Sequence, residues 1–198
     1  MKYLINNSYE NFLGQKTLLY GDTDTKKTYY TSQFVKYLIE QKKKEPNIIS
    51  VLDFAPEMQK IHGLKIGGRI SDFYEKSVRC NYISISGKII PPRLEANDKQ
   101  ELIKFARKNY EKTSLALQKY NQKPTRILIM NDISIHLHGG NPKEILNIIK
   151  KSQTFFGNSY YGTSISKGFS KEFSVRERKK VETLINSIPN SYHTDKFS

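Results

Sequence analysis

With 198 residues, 37% of them hydrophobic and 12% aromatic, the chain can fill one core and is too short for two comfortable ones. Lys and Arg number 33 against 19 Asp and Glu, a formal charge of +14 that attracts polyanions; the excess is nearly all lysine, which AT-rich coding would also produce. Cys80 is the only cysteine, which excludes an internal disulfide and a cysteine zinc cluster, and the absence of a long apolar run argues against a membrane span or a secretory signal, so a cytoplasmic protein is expected.

Thr17 to Tyr20 reads as a buried strand, followed after a loop by a helix from about Thr28 to Lys43 with Phe34, Val35, Leu38 and Ile39 as its apolar stripe. Pro46-Asn47 breaks that helix, and Ile48 to Asp53 forms a second apolar strand, completing a βαβ unit with parallel strands. Phe54 to Arg93 is irregular, with a small hairpin expected from Asn81 to Ile90 turning at Ser86-Gly87-Lys88. This stretch carries Lys60, Lys65, Arg69, Lys76, Arg79, Lys88 and Arg93 and reads as a basic insertion, residues 57–93, laid over the sheet edge. Asp98 caps a long helix to about Asn121, and Arg126 to Asp132 is a third buried strand. Asn141-Pro142-Lys143-Glu144 is a capping box with proline at the first helical position. Thr154 to Ile165 is aromatic and β-prone, a fourth strand. Ser174 to Glu177 is a capping box for a last helix ending near Ser187, and a polar, mobile tail is expected after Pro189. The fold class is α/β: residues 1–198 as a single domain, a mostly parallel sheet flanked by helices in three layers.

Between the first strand and first helix the chain reads Gly21-Asp22-Thr23-Asp24-Thr25-Lys26-Lys27-Thr28. This is the layout of a phosphate-binding loop, G-x-x-x-x-G-K-[ST], with Lys26 where the second glycine is expected. Gly21 is assigned a sharp turn after the strand. The amides of residues 24 to 28, Asp24, Thr25 and Lys26 among them, would wrap phosphates, Lys27 would pair with terminal phosphate oxygens, and Thr28 would offer its hydroxyl to Mg²⁺. Asp132, after ILIMN, is the acid expected at the end of a neighbouring strand, and Asp53 ends the second strand, where ligands gather in open α/β sheets. His136 and His138 would share a face if they lay on a strand. Arg69 and Arg93 are candidates for charge stabilisation.

The motif at Gly21, Asp24, Lys27 and Thr28, followed by a helix and a strand ending LDFAP, resembles one branch of the P-loop NTPases: MinD-like ATPases, dethiobiotin synthetase and polynucleotide 5′-hydroxyl kinases. The resemblance covers residues 16–57 and 126–132. It implies a P-loop NTPase-like fold and ATP or GTP with Mg²⁺, Lys27 and Thr28 on phosphate and metal, and Asp53 and Asp132 near the metal and the attacking group. No N-K-x-D guanine-reading motif is present, which favours ATP. Three readings stay open: an ATPase or phosphotransferase acting through Lys27, Asp53 and Asp132; a non-catalytic nucleotide-binding module with a degenerate loop; and a nucleic-acid binder using the basic charge.

Overall fold

Successive side chains of a strand leave opposite faces of its sheet, so a strand apolar on both faces must be covered on both. Leu18 and Leu19, Leu128 and Ile129, and Phe155 and Phe156 are all fully buried neighbours of this kind. The computed structural model, which describes residues 9–61, 63–85, 87–165 and 168–197, shows the architecture this dictates. Its strands are β1 (Lys16–Gly21), β2 (Ile49–Asp53), β3 (Gln59–Ile61), β4 (Leu64–Ile66), β5 (Asn81–Ser84), β6 (Ile127–Asn131), β7 (Thr154–Tyr160) and β8 (Asn190–His193). The longer helices are α1 (Lys27–Lys36), α2 (Lys99–Gln122), α3 (Pro142–Lys150) and α4 (Lys171–Ser187). Six strands form one sheet in the order β5-β2-β6-β7-β1-β8, every pairing parallel, and β3 and β4 form a separate antiparallel pair.

One apolar layer joins Leu18, Leu52, Leu128, Met130 and Phe155 to Leu117 and Tyr120 of α2, Ile145 of α3 and Val181 of α4. The other joins Leu19, Val51, Ile127, Ile129 and Phe156 to Phe34 and Val35 of α1. Three layers result, with α2, α3 and α4 on one face and α1 on the other. Caps act where the sequence places them: the Asp98 carboxylate accepts from Glu101 N at 2.8 Å, and Asn141 and Glu144 close a reciprocal capping box ahead of α3. No helix among the described residues is long and apolar enough to cross a membrane.

Four local expectations are corrected. Asn81–Ser84 is not the first arm of a hairpin but a parallel edge strand on β2, because its backbone completes the sheet there; Ser86, assigned to the hairpin turn, lies outside the described residues. Segment 57–93 therefore contributes to the sheet as well as covering it. Residues 190–193 are not a mobile tail but β8, paired with β1, since β1 would otherwise expose an edge. The last helix opens at Lys171, one turn before the expected box at Ser174. The first helix is α-helical only to Lys36 and widens into a π-turn over Tyr37–Gln41.

Phe156 tests the α1 layer: it is fully buried, stacked on Phe34 at 4.6 Å and edge-on to Phe12 at 5.2 Å. Phe156→Ala is expected to cost about 3–5 kcal/mol in urea unfolding; a loss under about 1 kcal/mol would contradict this packing.

Candidate functional site

The loop after β1 turns into α1 through two residues with side chains in the left-handed region, Asp24 at φ 56° and Lys26 at φ 59°. Lys26 thus takes the conformation for which the motif uses glycine, at a cost of about 1–2 kcal/mol for its Cβ. The consequence is a concave run of backbone donors. No described residue accepts a hydrogen bond from the backbone N–H groups of Asp24, Thr25, Lys26, Lys27, Thr28 or Tyr29. Such a run at the positive end of a helix favours an anion.

Lys27 lies inside this loop, its ammonium donating to the Asp22 carbonyl oxygen and to Thr25 Oγ1 at 3.0 Å. Burial pushes its pKa down to about 8, against the opposing pull of Asp132, Asp195, Asp22 and Asp24. Gly21 plays a different part from the one assigned. It is the last residue of β1, and a Cβ there would strike Thr194 and Asp195, so it serves close approach rather than a turn. The turn after β8 thereby braces the loop from outside: Thr194 Oγ1 lies 2.6 Å from Thr25 Oγ1, and Asp22 N donates to Asp195 at 2.9 Å. The Asp22 carboxylate accepts from Thr23 N and Thr163 N at 2.6 and 3.1 Å and from the Ser164 hydroxyl.

Thr28 faces a residue the sequence reading passed over. Its hydroxyl donates to Asn131 Oδ1 at 3.1 Å. Asn131 ends β6 and is fully buried; its amide nitrogen donates to Asp53 at 2.8 Å and to Gly68 O at 3.0 Å, and its oxygen also accepts from Asn158 at 2.8 Å. Asn158 in turn donates to Thr31 of α1 and accepts from Asp132 N. Asp53 is spent inside this network. It accepts from Ala55 N, Asn131, Ile70 N and the Tyr82 hydroxyl, and it does not line the cavity described below. Burial raises its carboxyl pKa and the four hydrogen bonds only partly offset that. Asp132 follows Asn131 with φ 54° and accepts from Ser134 Oγ at 2.8 Å. Burial raises its pKa as well, with Ser134, His138 and Lys27 pulling the other way. Its strand is not β1's neighbour, because β7 lies between them.

A cavity of about 330 Å³ opens beside the loop, lined by residues 23–29, by Asp132, Ser134 and His138 after β6, by Arg93, and by apolar groups including Met58, Ile66, Phe73 and Pro91. Arg93 is 4% exposed, its terminal nitrogens paired with Glu177 of α4 and its guanidinium 4.9 Å from the Tyr160 ring. Asn109 of α2 holds the approach to it, donating to Ile90 O at 2.6 Å and accepting from Ile90 N at 3.3 Å. The two histidines lie at a helical turn, Ser134–Leu137, rather than on a strand, and point to different partners: His136 to Thr113 and Glu144, His138 to Glu177. The basic segment is not a bare cationic stripe. Arg69, Lys76 and Lys88 pair with Glu57, Glu40 and Glu95, and Arg93 with Glu177.

No family model matches the chain, and no curated protein matches it. Among solved structures it is similar to the Pif1 helicase from Candida albicans, at 14% identity and a TM-score of 0.38, covering 98% of this chain and 38% of the helicase. The chain thus spans well under half of that protein, and a likeness so distant carries no functional weight. It gives no support to the MinD-like, dethiobiotin synthetase or polynucleotide kinase branch that the motif resembles.

Glu177 gives the cluster a pH signature. Burial would raise its pKa, but Arg93 and His138 hold it down to about 2, against 4.5 ordinarily. A depressed carboxylate stabilises the fold above pH 4.5 and loses that contribution as pH falls toward 2, on the order of 3 kcal/mol. Urea unfolding at a series of pH values should therefore show a shallower acid limb for Glu177→Gln, alongside lower stability at neutral pH because Arg93 is left unpaired. Parallel curves for the two proteins would refute the ion pair.

Proposed function

We propose that this site binds the polyphosphate of ATP with Mg²⁺ and that the protein is an ATPase or phosphotransferase. The observation carrying the proposal is the set of six consecutive backbone N–H groups, Asp24 to Tyr29, with no acceptor among the described residues, around a buried lysine at the mouth of a cavity. An anion with several oxygens satisfies all of them at once; water does so only singly. Lys27 would leave the Asp22 carbonyl for the terminal phosphates.

The donor set fits magnesium. Thr28 and Asp132 line the cavity and offer hydroxyl and carboxylate oxygens, the hard ligands Mg²⁺ takes together with water and phosphate. Among the described residues no group of three His, Cys, Asp or Glu could hold a metal alone, so the ion would arrive with the nucleotide. When bound it would neutralise phosphate charge. Thr28 and Asp132 would orient it, and Asp53 would fix Asn131 behind them. The apolar walls formed by Tyr29, Met58 and Phe73 would exclude water and accept a base or a second substrate.

Asn131 favours a second reading, binding without turnover, because an uncharged amide sits where Thr28 meets β6. Calorimetry with MgATP, joined to a phosphate-release assay, separates the two. Lys27→Ala is expected to weaken MgATP binding at least about tenfold, roughly 1.4 kcal/mol; no heat for either protein would end the proposal, and binding with release equal to buffer would leave only the second reading. Binding should also take up protons. Lys27, with its pKa near 8, is largely neutral at about pH 9 and regains its proton beside polyphosphate, whereas at about pH 6 it is charged throughout. Calorimetry in buffers of differing ionisation enthalpy should detect uptake near pH 9 and lose it in Lys27→Ala.

A further inference from the structure

On the face of the sheet covered by α2, α3 and α4, another cleft of about 740 Å³ opens between α3 and α4. It shares no lining residue with the cavity beside the loop. Three lysines line it, Lys143 at the start of α3 and Lys179 and Lys180 on α4. Among the described residues Glu144 is the one acid in its lining, and that carboxylate is already engaged. It accepts from Asn141 N at 2.7 Å and from the Tyr110 hydroxyl at 3.1 Å, and it lies 3.3 Å from His136 Nε2.

The rest of these two helices carries the same imbalance. Their other acids each face a cation: Glu172 meets Lys99, Glu177 meets Arg93 and Glu182 meets Arg178. Lys143, Lys150, Lys171, Arg176 and Lys179 meet no carboxylate within ion-pair distance among the described residues. Arg176 stands four residues before Lys180, so it extends the row along the same side of α4. The Lys180 ammonium is anchored by donating to Leu137 O at 2.7 Å, and an ammonium has two further donors to offer.

Cations that line a concavity without being cancelled attract a polyanion, and low-dielectric walls on either side focus the field. Shape then selects among polyanions. Packed helices lie about 8–10 Å apart, so the furrow between them is too narrow for a nucleic-acid duplex and admits one flexible strand. Lysines act as point charges toward phosphate oxygens, and the Asn147 amide in the same lining adds a neutral donor. We infer that the α3–α4 cleft binds the phosphodiester backbone of single-stranded nucleic acid, without sequence preference, through Lys143, Lys179 and Lys180. The inference is independent of what the loop holds.

The test is anisotropy of a fluorescein-labelled oligothymidylate of about 20 nucleotides, titrated with the protein between about 50 and 200 mM KCl. Labelled polyglutamate of matching charge is titrated in parallel. The oligonucleotide is expected to bind at low salt and to weaken steeply as salt rises, with polyglutamate at least about tenfold weaker. Lys143→Gln/Lys179→Gln should lose at least about tenfold in affinity at the lowest salt, and its slope of log affinity against log salt should be shallower by about 1.4, or 0.7 for each lost phosphate contact. Lys43→Gln/Lys44→Gln removes the same charge from two exposed positions just past α1, in the other helical layer, and should stay within about threefold. Three results would each overturn the inference. No oligonucleotide binding at the lowest salt means no site, equal losses in the two double variants mean diffuse charge, and equal affinity for polyglutamate means a surface for acidic protein.

Discussion

The carboxamide of Asn131 is the joint on which the site depends. It is fully buried at the end of the central strand β6 and makes four hydrogen bonds, to Thr28 of α1, Asp53 of β2, Asn158 of β7 and the Gly68 carbonyl. Each bond contributes only about 1 kcal/mol net, but a partner left unsatisfied in so dry a place costs about 1–3 kcal/mol. The arrangement is therefore all-or-none. A shift of α1 relative to the sheet breaks a bond at Thr28, and a shift of β2 strands a buried carboxylate. Asp53 is needed to turn the amide so that its oxygen, not its nitrogen, faces the loop.

Around that joint the backbone is held under strain. Asp24, Lys26 and Asp132 all sit at positive φ without being glycine, each at a cost of about 1–2 kcal/mol. The restraints come from distant parts of the chain. Thr194 and Asp195 clamp the loop from the β8 side, and Thr163 and Ser164 grip the Asp22 carboxylate. The end of the described chain is thus part of the site, and Gly21 is the residue that lets it approach. A Cβ at Gly162 would likewise collide with the Asp22 carboxylate, so both sides of the grip rely on a missing side chain.

Much of this was legible in the sequence and some of it could not be. Paired apolar residues such as Leu18-Leu19 and Phe155-Phe156 announce a sheet covered on both faces, and the loop's position between β1 and α1 follows from the Gly21–Thr28 spacing. The caps at Asp98 and Asn141 are local hydrogen bonds, so local sequence specifies them. What was hidden depends on strand order. NSYH after Pro189 has no apolar run, and it becomes β8 only because β1 has an edge to pair. Asn131 looked like a strand end beside the more conspicuous Asp132. Its polar character within ILIMN was the available signal, since a buried amide in an otherwise apolar strand needs several partners. The pairing of Arg93 with Glu177 joins residues 84 apart, and no local pattern marks it.

Net charge and local charge tell different stories in this fold. The chain carries +14 overall, yet Arg69, Lys76, Lys88 and Arg93 of segment 57–93 each face an acid, and the enclosed cation beside the loop is Lys27. Four aspartates surround that ammonium and still do not offset the cost of enclosing it, so its pKa stays near 8 rather than at 10.5. The enclosed lysine and the six amides that have no acceptor among the described residues lie in the same place. Asp22 gives its carboxylate to Thr23 N and to residues 163 and 164, and Asp195 accepts from the backbone amide of Asp22. These carboxylates thus serve the start of the loop, at the amides of residues 22 and 23, and the amides of residues 24–29 have no acceptor among the described residues. A concave run of amides at the positive end of a helix favours an anion with several oxygens.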